Sequence, residues 1–377
     1  MNEEFVSRQQ LDLLPKRILK AEQTEASREL NCYMWDLYKK NNFKPMNVLV
    51  VGAGGSYPAA MFAKHTIHDE MRTPHVEALT PQAAIRMLTQ YDYIINCDWK
   101  PKYDLVIGIS YSGKTLDIIA VYELCLKKGY PFVLLTGANK VTLTDVYKDN
   151  KLLKIISYFN EEDTTGKERG MISMASTLAP IIIFDDNYSK HIELRQEYLE
   201  EAKKYVDELN INEIAASIKK SPTIHVFYEW DTLPSALDIE SKFTESGLAN
   251  VILHEKKNFS HGRFTSLFKQ EFALVINLTR YAALMPTDSL KDLTEGYHHD
   301  YDKKISKFLS KICKEKNAHY IEMGTMAMMA SQWNIKEMAK TPYLIVSIGE
   351  KLGKDISKPL TFTPDEALDL YDYKGEF

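Results

Sequence analysis

The stretch Asp104–Thr115 reads DLVIGISYSGKT. Leu105 to Ile109 form an uncharged apolar run, the pattern of a parallel strand covered on both faces. The turn that follows carries Ser110, Tyr111, Ser112 and Thr115 and leads into a helix start, so hydroxyls and backbone N–H groups converge where an anion is favoured. Gly108 to Thr115 also fits the mononucleotide pattern G-x-x-x-x-G-K-[ST], with Lys114 as its lysine. A phosphate site is expected; the rest of the chain decides which phosphate.

Working outward, NVLVVGAGGS, YPFVLLTGA and NKLLKIISY are further short apolar runs, separated by segments long enough for crossover helices. After a charged helical stretch from about Ile192 to Lys220 the pattern restarts with TIHVFYEW, NVILHEKKN, FALVINLT and AHYIEM. The expected fold class is therefore α/β, with two tandem doubly wound parallel-sheet domains behind a helical segment. The expected boundaries are 1–41 for that segment, 42–190 for the first domain, 191–219 for a linking helix and 220–377 for the second domain. Within the helical segment, spacing nominates Leu11, Leu14, Ile18, Leu30, Tyr33 and Trp35 for a buried face.

Composition excludes several function classes. A chain of 377 residues with 45% hydrophobic content can bury two cores, and a net charge of -5 gives no basic footprint for nucleic acid. Cys32, Cys97, Cys125 and Cys313 show no C-x-x-C spacing, so neither a zinc knuckle nor a disulfide framework is expected. The polar start MNEEFVSRQQ is unlike a signal peptide, and no long apolar window suggests a membrane span. A cytoplasmic location is expected. His65 and His68 share helical spacing, and His298–His299 adjoin Asp300, but neither group has a third ligand at metal spacing. No metal and no cofactor are expected.

Two other features touch the nucleotide question. Gly52, Gly54 and Gly55 make half of a dinucleotide fingerprint, without an acidic residue at a strand end about 20 residues later. They equally suit a tight turn bringing Ser56 to a ligand. IIIFDD, with Asp185 and Asp186, can be a magnesium-holding acidic strand or part of an apolar helix, and a short apolar run does not separate the two.

The second half carries ALDIESKFTESGLANVILHEKKNFSHGRF, with Lys242, Glu245 and, sixteen positions after the glutamate, His261. This resembles the sugar isomerase (SIS) domain family, and in particular the isomerase half of glucosamine-6-phosphate synthase, where K-x-x-E on a helix precedes an H-G pair by the same interval. In the first half, SYSGKT looks like the S-x-S-G-x-T phosphate loop of that family, GGSY like its other serine turn, and ERGMIS like its E-x-G-x-x-S segment. The resemblance spans about Lys44 to Pro359. It implies flavodoxin-like SIS domains, a phosphate held by Gly55, Ser56, Ser110, Tyr111, Ser112 and Thr115, and substrate contacts from Glu168 and Ser173.

The family commonly has an acid at position 114 and Gln at 111, where this chain has Lys114 and Tyr111. These 377 residues carry no stretch that resembles the synthase's glutaminase half, so glutamine is not an expected ammonia source. Counting from Pro359, the position of the synthase's C-terminal lysine holds Pro364, and Lys374 is a weak substitute.

The residue types suit aldose–ketose isomerisation. A sheltered carboxylate, Glu245, can carry a proton between C1 and C2 through an enediol; an imidazole, His261, can open the sugar ring; and an ammonium, Lys242, can steady enediolate charge. The plain alternative for Lys242 and Glu245 is a helical surface pair. The expected function is a sugar-phosphate isomerase acting on a phosphorylated hexose or amino sugar, with or without deamination. A fructosamine-phosphate deglycase, a non-catalytic sugar-phosphate sensor and a P-loop NTPase are the alternatives. The resemblance further implies a homodimer in which the histidine reaches the site from the neighbouring subunit.

Overall fold

The computed structural model describes residues 5–71, 75–89, 103–147, 150–159, 168, 172–185, 192–282, 296–327 and 330–358. The chain divides into two compact units, Gln9–Gln196 and Glu197–Pro359, with the chain start through Arg8 belonging to the second.

The first unit opens with α1 (Val6–Glu22) and α2 (Ala26–Lys40) and continues with a five-stranded sheet: β1 (Asn47–Gly52), β2 (His75–Leu79), β3 (Leu105–Ser110), β4 (Phe132–Thr136) and β5 (Leu153–Ser157). All pairs are parallel, in the order β2-β1-β3-β4-β5. The helices are α3 (Tyr57–Met71), α4 (Pro81–Thr89), α5 (Leu116–Lys128), α6 (Lys140–Val146) and α7 (Ala175–Asp185). Every residue of β3 is buried, as an apolar run in a sheet covered on both faces requires. Leu49, Val106, Phe132 and Leu134 meet Ala84, Ile118 and Val121 of α4 and α5 in one cluster.

Leu11, Leu14, Ile18 and Leu30 are buried as expected. Trp35 is not: it is 48% exposed, and Met34 takes the buried place. Met34 is one helical turn beyond Leu30, whereas Trp35 lies about 140° around the helix from that residue. Its ring instead meets Tyr38 and Phe43, with centroids 5.5 and 6.4 Å away, and Tyr33 is half-buried. The segment IIIFD belongs to α7, all of whose residues are buried, so the magnesium-bearing strand of the nucleotide reading does not exist. Asp186, with Cys97, Pro359, Pro364 and Lys374, lies outside the described residues, as do the side chains of His68, His298, His299 and Asp300.

The charged stretch expected as one linking helix is two, α8 (Ile192–Asp207) and α9 (Ile211–Lys220). Asn210 separates them, its side chain accepting the Glu213 N–H as an N-cap. The second unit is a parallel sheet in the order β7-β6-β8-β9, built from β6 (Thr223–Tyr228), β7 (Asn250–Glu255), β8 (Leu274–Ala282) and β9 (His319–Ala327). Its helices are α10 (Leu233–Glu245), the short α11 (Lys256–Asn258) and α12 (Thr265–Lys269), α13 (Gly296–Lys316) and α14 (Ala330–Lys351).

The faces of this sheet are covered by different helices. Phe227 packs with Phe259, Leu267 and Phe272 and with Ile305, Leu309 and Ile312 of α13. On the other face α10 and α9 each pack on α14. Right-handed crossovers dictate this, because β6→β7 and β7→β8 step in opposite directions along the sheet. No described helix is long and apolar enough to cross a membrane.

Candidate active site

In the order β2-β1-β3-β4-β5 the chain reverses direction between β1 and β3, and the crevice outside their C-terminal ends is where doubly wound sheets bind ligands. Both candidate phosphate loops end there. The β3 loop is held from within. Ser110, 2% exposed, has its Oγ 2.8 Å from Thr115 Oγ1, Gly113 N–H donates to Ser110 O at 3.1 Å, and Ser112 Oγ accepts Lys114 N–H at 3.2 Å. Gly113 sits at φ +67°, and a Cβ there would lie 2.7 Å from Leu143, so the turn depends on glycine. Thr115 then starts α5, whose N-terminus points toward any anion in the loop. The Lys114 side chain is exposed.

Tyr111 pins this loop to its neighbours. Its carbonyl accepts from Gly137 N–H at 3.1 Å and Thr136 Oγ1 at 3.2 Å, and its hydroxyl accepts Glu168 N–H at 2.8 Å. Glu168 in turn caps α7: Oε1 accepts from Met174 and Ala175 N–H, both 2.8 Å, and Oε2 from Ser176 N–H at 2.9 Å. A carboxylate on otherwise unpartnered N–H groups at a helix start is favoured by hydrogen bonding and by the helix dipole. Glu168 thereby fixes the start of α7, directly after Ser173 in the chain.

Ser173 lies against the β1 turn so closely that a Cβ on Gly55 would be 2.5 Å from both its Cβ and its Oγ. Thr177 Oγ1 closes the contact by donating to Gly55 O at 2.9 Å. Ser56 is half-buried beside it, its N–H donating to Ala53 O. The fold thus joins Gly55 and Ser56 to Ser173, and Ser110, Tyr111, Ser112 and Thr115 to Glu168, with both loops at neighbouring strand ends.

In the second unit, Lys242 and Glu245 are both on α10. Lys242 is 1% exposed and its ammonium donates to Asp238 one turn back, a buried ion pair in which burial raises the Asp238 carboxyl pKa even though Lys242 opposes it. Glu245, half-buried at the helix end, accepts from Ser241 Oγ at 2.8 Å. His261 is exposed, in the helical kink Phe259–Arg263 beyond β7.

Glu245 and His261 occupy opposite faces of the sheet. α10 packs on α14 on one side, and Phe259, two residues before His261, packs on Phe227 and near α13 on the other. Glu245 also precedes β7, at its N-terminal end, whereas His261 follows the C-terminal end. One chain's Glu245 and His261 do not meet.

A second group of charged residues escaped the sequence reading. At the C-terminal ends of β6, β7 and β8, Arg280 Nη1 lies 2.9 Å from Asp231 Oδ2, and buried Lys256 Nζ lies 2.9 Å from Asp302 Oδ1 and 3.9 Å from Glu229. Burial, reinforced by Asp302 and Asp231 against Lys256, raises the Glu229 carboxyl to about 7. The available signal was YEWDT, charges placed directly after the first strand of a restarted α/β pattern, where a switch point falls. No group of three or more His, Cys, Asp or Glu among the described residues could hold a metal ion.

The loops at β1 and β3 lie within the part of the chain that the model of the SIS domain matches, residues 43–157. That segment is a SIS domain. No curated protein sequence matches the chain. Solved structures share its fold across both units. The C-terminal domain of glucosamine-fructose-6-phosphate aminotransferase from Francisella tularensis aligns with 94% of this chain and 98% of its own, at TM-score 0.67 and 14% identity. Tagatose-6-phosphate ketose/aldose isomerase from Escherichia coli aligns over 93% and 94%, at 0.64 and 13%. Glucosamine-6-phosphate deaminase from Thermotoga maritima aligns over 91% and 97%, at 0.55 and 13%. The chain therefore has the two-sheet architecture of SIS phosphosugar isomerases, with its SIS domain carrying the serine-rich loops.

Proposed function

We propose that the protein is a sugar-phosphate isomerase acting on a phosphorylated hexose or amino sugar. The observation that carries this is the convergence, at the β1/β3 switch point, of hydroxyl-bearing turns and a helix N-terminus on a SIS domain. The substrate phosphate takes hydrogen bonds from Ser110, Ser112, Thr115 and Ser56, with Gly55 and Tyr111 shaping the turns. Ser173, which precedes the α7 start that Glu168 caps, contacts the sugar. Glu245 is the base that moves the proton between C1 and C2.

His261 opens the sugar ring from a second copy of the chain, since Glu245 and His261 of one chain are divided by the sheet. The working form is then a homodimer, in the cytoplasm, and the chemistry calls for no cofactor. The nucleotide reading loses the support of its acidic strand, because the segment that ends in Asp185 is helix α7.

One observation favours a second reading, a sugar-phosphate sensor: the Lys242 ammonium is committed to Asp238, away from any enediolate. A thermal-shift series with hexose 6-phosphates, hexosamine 6-phosphates and ATP tests the class, because a ligand that binds only folded protein raises its melting temperature. Stabilisation by a sugar phosphate and not by ATP is expected. Stabilisation by ATP with magnesium alone would overturn the proposal.

A further inference from the structure

The turn that carries His261 is fastened on both sides of that residue. Ahead of it, directly after β7, buried Lys256 is held twice by adjacent residues of α13. Asp302 Oδ1 accepts from its ammonium at 2.9 Å, and the Tyr301 hydroxyl donates to its carbonyl at 2.6 Å. The same hydroxyl lies 2.9 Å from Oγ of Ser260, the residue before His261, and Ser260 Oγ donates to Lys257 O at 2.8 Å. Lys257 Nζ stands 3.6 Å from the centre of the Tyr301 ring.

Beyond His261, Thr265 Oγ1 donates to Gly262 O at 2.9 Å, and the Phe264 N–H donates back to Phe259 O at 3.2 Å. Phe259 is buried among Phe227, His254 and Phe308, the last on α13. Gly262 supplies a left-handed step at φ +103°. His261 itself is exposed, so its place is set by this frame more than by burial of its own ring.

The polar contacts add what Phe259 cannot. Apolar burial holds a segment down without giving it a direction, whereas a hydroxyl that bridges Lys256 O and Ser260 Oγ fixes the shape of the turn between them. The charge-assisted bond from Lys256 to Asp302 fixes that turn's distance from α13. On the reading that His261 opens the sugar ring, we infer that Tyr301 and Asp302 are positioning residues for it: they clamp the turn to α13 and so set where the imidazole stands.

The test uses the full chain with Tyr301→Phe, which keeps the ring and removes the hydroxyl, and with Asp302→Asn. Hydrogen–deuterium exchange should show residues 259–264 of Tyr301→Phe exchanging about tenfold faster, at a melting temperature close to wild type. With a sugar phosphate that wild type isomerises, kcat should fall about tenfold while KM stays within a few fold. Asp302→Asn should shift both readouts in the same direction. Tyr301→Phe alone decides if that variant, which leaves Lys256 only Glu229 at 3.9 Å, fails to fold. In a His261→Ala background Tyr301→Phe should change the residual rate little, because its effect runs through the imidazole. Unchanged exchange over 259–264 would overturn the inference whether or not the protein is an isomerase. So would an equal loss of kcat with and without His261, which would make the hydroxyl merely structural. Wild type that turns over no sugar phosphate would instead sink the isomerase reading, and the exchange result would still decide the clamp.

Discussion

Glu245 and His261 lie on opposite faces of one four-stranded sheet, Glu245 before β7 and His261 beyond it. If both act on one substrate, they come from two chains. Homodimers of Glu245→Gln and of His261→Ala should each be nearly inactive. A mixed dimer carries both defects in one site and neither in the other. Random assembly of the co-expressed variants should therefore restore about a quarter of wild-type turnover. No recovery in verified mixed dimers would contradict the shared site.

The phosphate loop gives a second expectation. Replacing Ser110 and Ser112 together by alanine removes two hydrogen bonds to a charged group, each worth about 1.5–3 kcal/mol, so sugar-phosphate affinity should fall by about 10²-fold or more. Lys114→Ala should change it little, because the proposed phosphate contacts are the loop hydroxyls and the α5 N-terminus. Calorimetric titration of both variants checks the contrast, and an equal loss in Lys114→Ala would sink it.

Glu168 should act through position. Its three N–H contacts at the start of α7 are a helix cap, and loss of a cap costs typically ~1 kcal/mol. Glu168→Ala should lower the melting temperature and weaken sugar-phosphate binding together, while Glu168→Gln, which keeps an acceptor, should recover part of both. A variant of full stability that has lost binding would instead assign Glu168 to direct ligand contact.

The strands legible in the sequence were the fully buried ones, such as β3 and β4, because an apolar run in a doubly covered sheet contrasts with the charged helices around it. β2, HVEAL, is an edge strand with alternating exposure and a glutamate at its centre, and it gave no such contrast. α7 is buried on every side and so carries no helical period. In the site, the serine turns were legible as motifs. Lys242 was not, since helical spacing allows a partner at Asp238 or at Glu245 and only burial selects the first. The capping role of Glu168 depends on where the fold places α7.

Acid should destabilise the second unit. His225 Nδ1 and His254 Nε2 are 2.8 Å apart in an apolar setting beside Phe227 and Phe272. Burial, with His254 adding to it, lowers the His225 pKa to about 3, and burial with Arg263 lowers that of His254 to about 4. An unfolded histidine titrates near ~6.5, so below that pH the unfolded chain binds protons the folded chain refuses, and stability falls as pH drops toward 4. Glu229 works oppositely: its folded pKa of about 7 lies above the unfolded value, so its contribution is lost as pH rises. Asp238, whose carboxyl burial also raises, works in the same direction as Glu229, so the acid-side loss belongs to the two histidines. Melting temperatures from pH 7 to pH 4.5 should fall, and His225→Leu/His254→Leu should flatten the slope. An unchanged slope would contradict the assignment.

The most direct measurement of the isomerase assignment is proton exchange at C2. Wild-type protein is incubated in deuterated water with each hexose and hexosamine 6-phosphate that stabilises it, and the C2 proton signal is followed by NMR. At least one substrate should lose that proton through the enediol. With that substrate Glu245→Gln, which keeps shape and removes the base, should slow exchange by about 10²-fold or more while affinity stays within a few fold. Tight binding of a sugar phosphate with no C2 exchange in wild type would contradict the account and leave the protein a sensor.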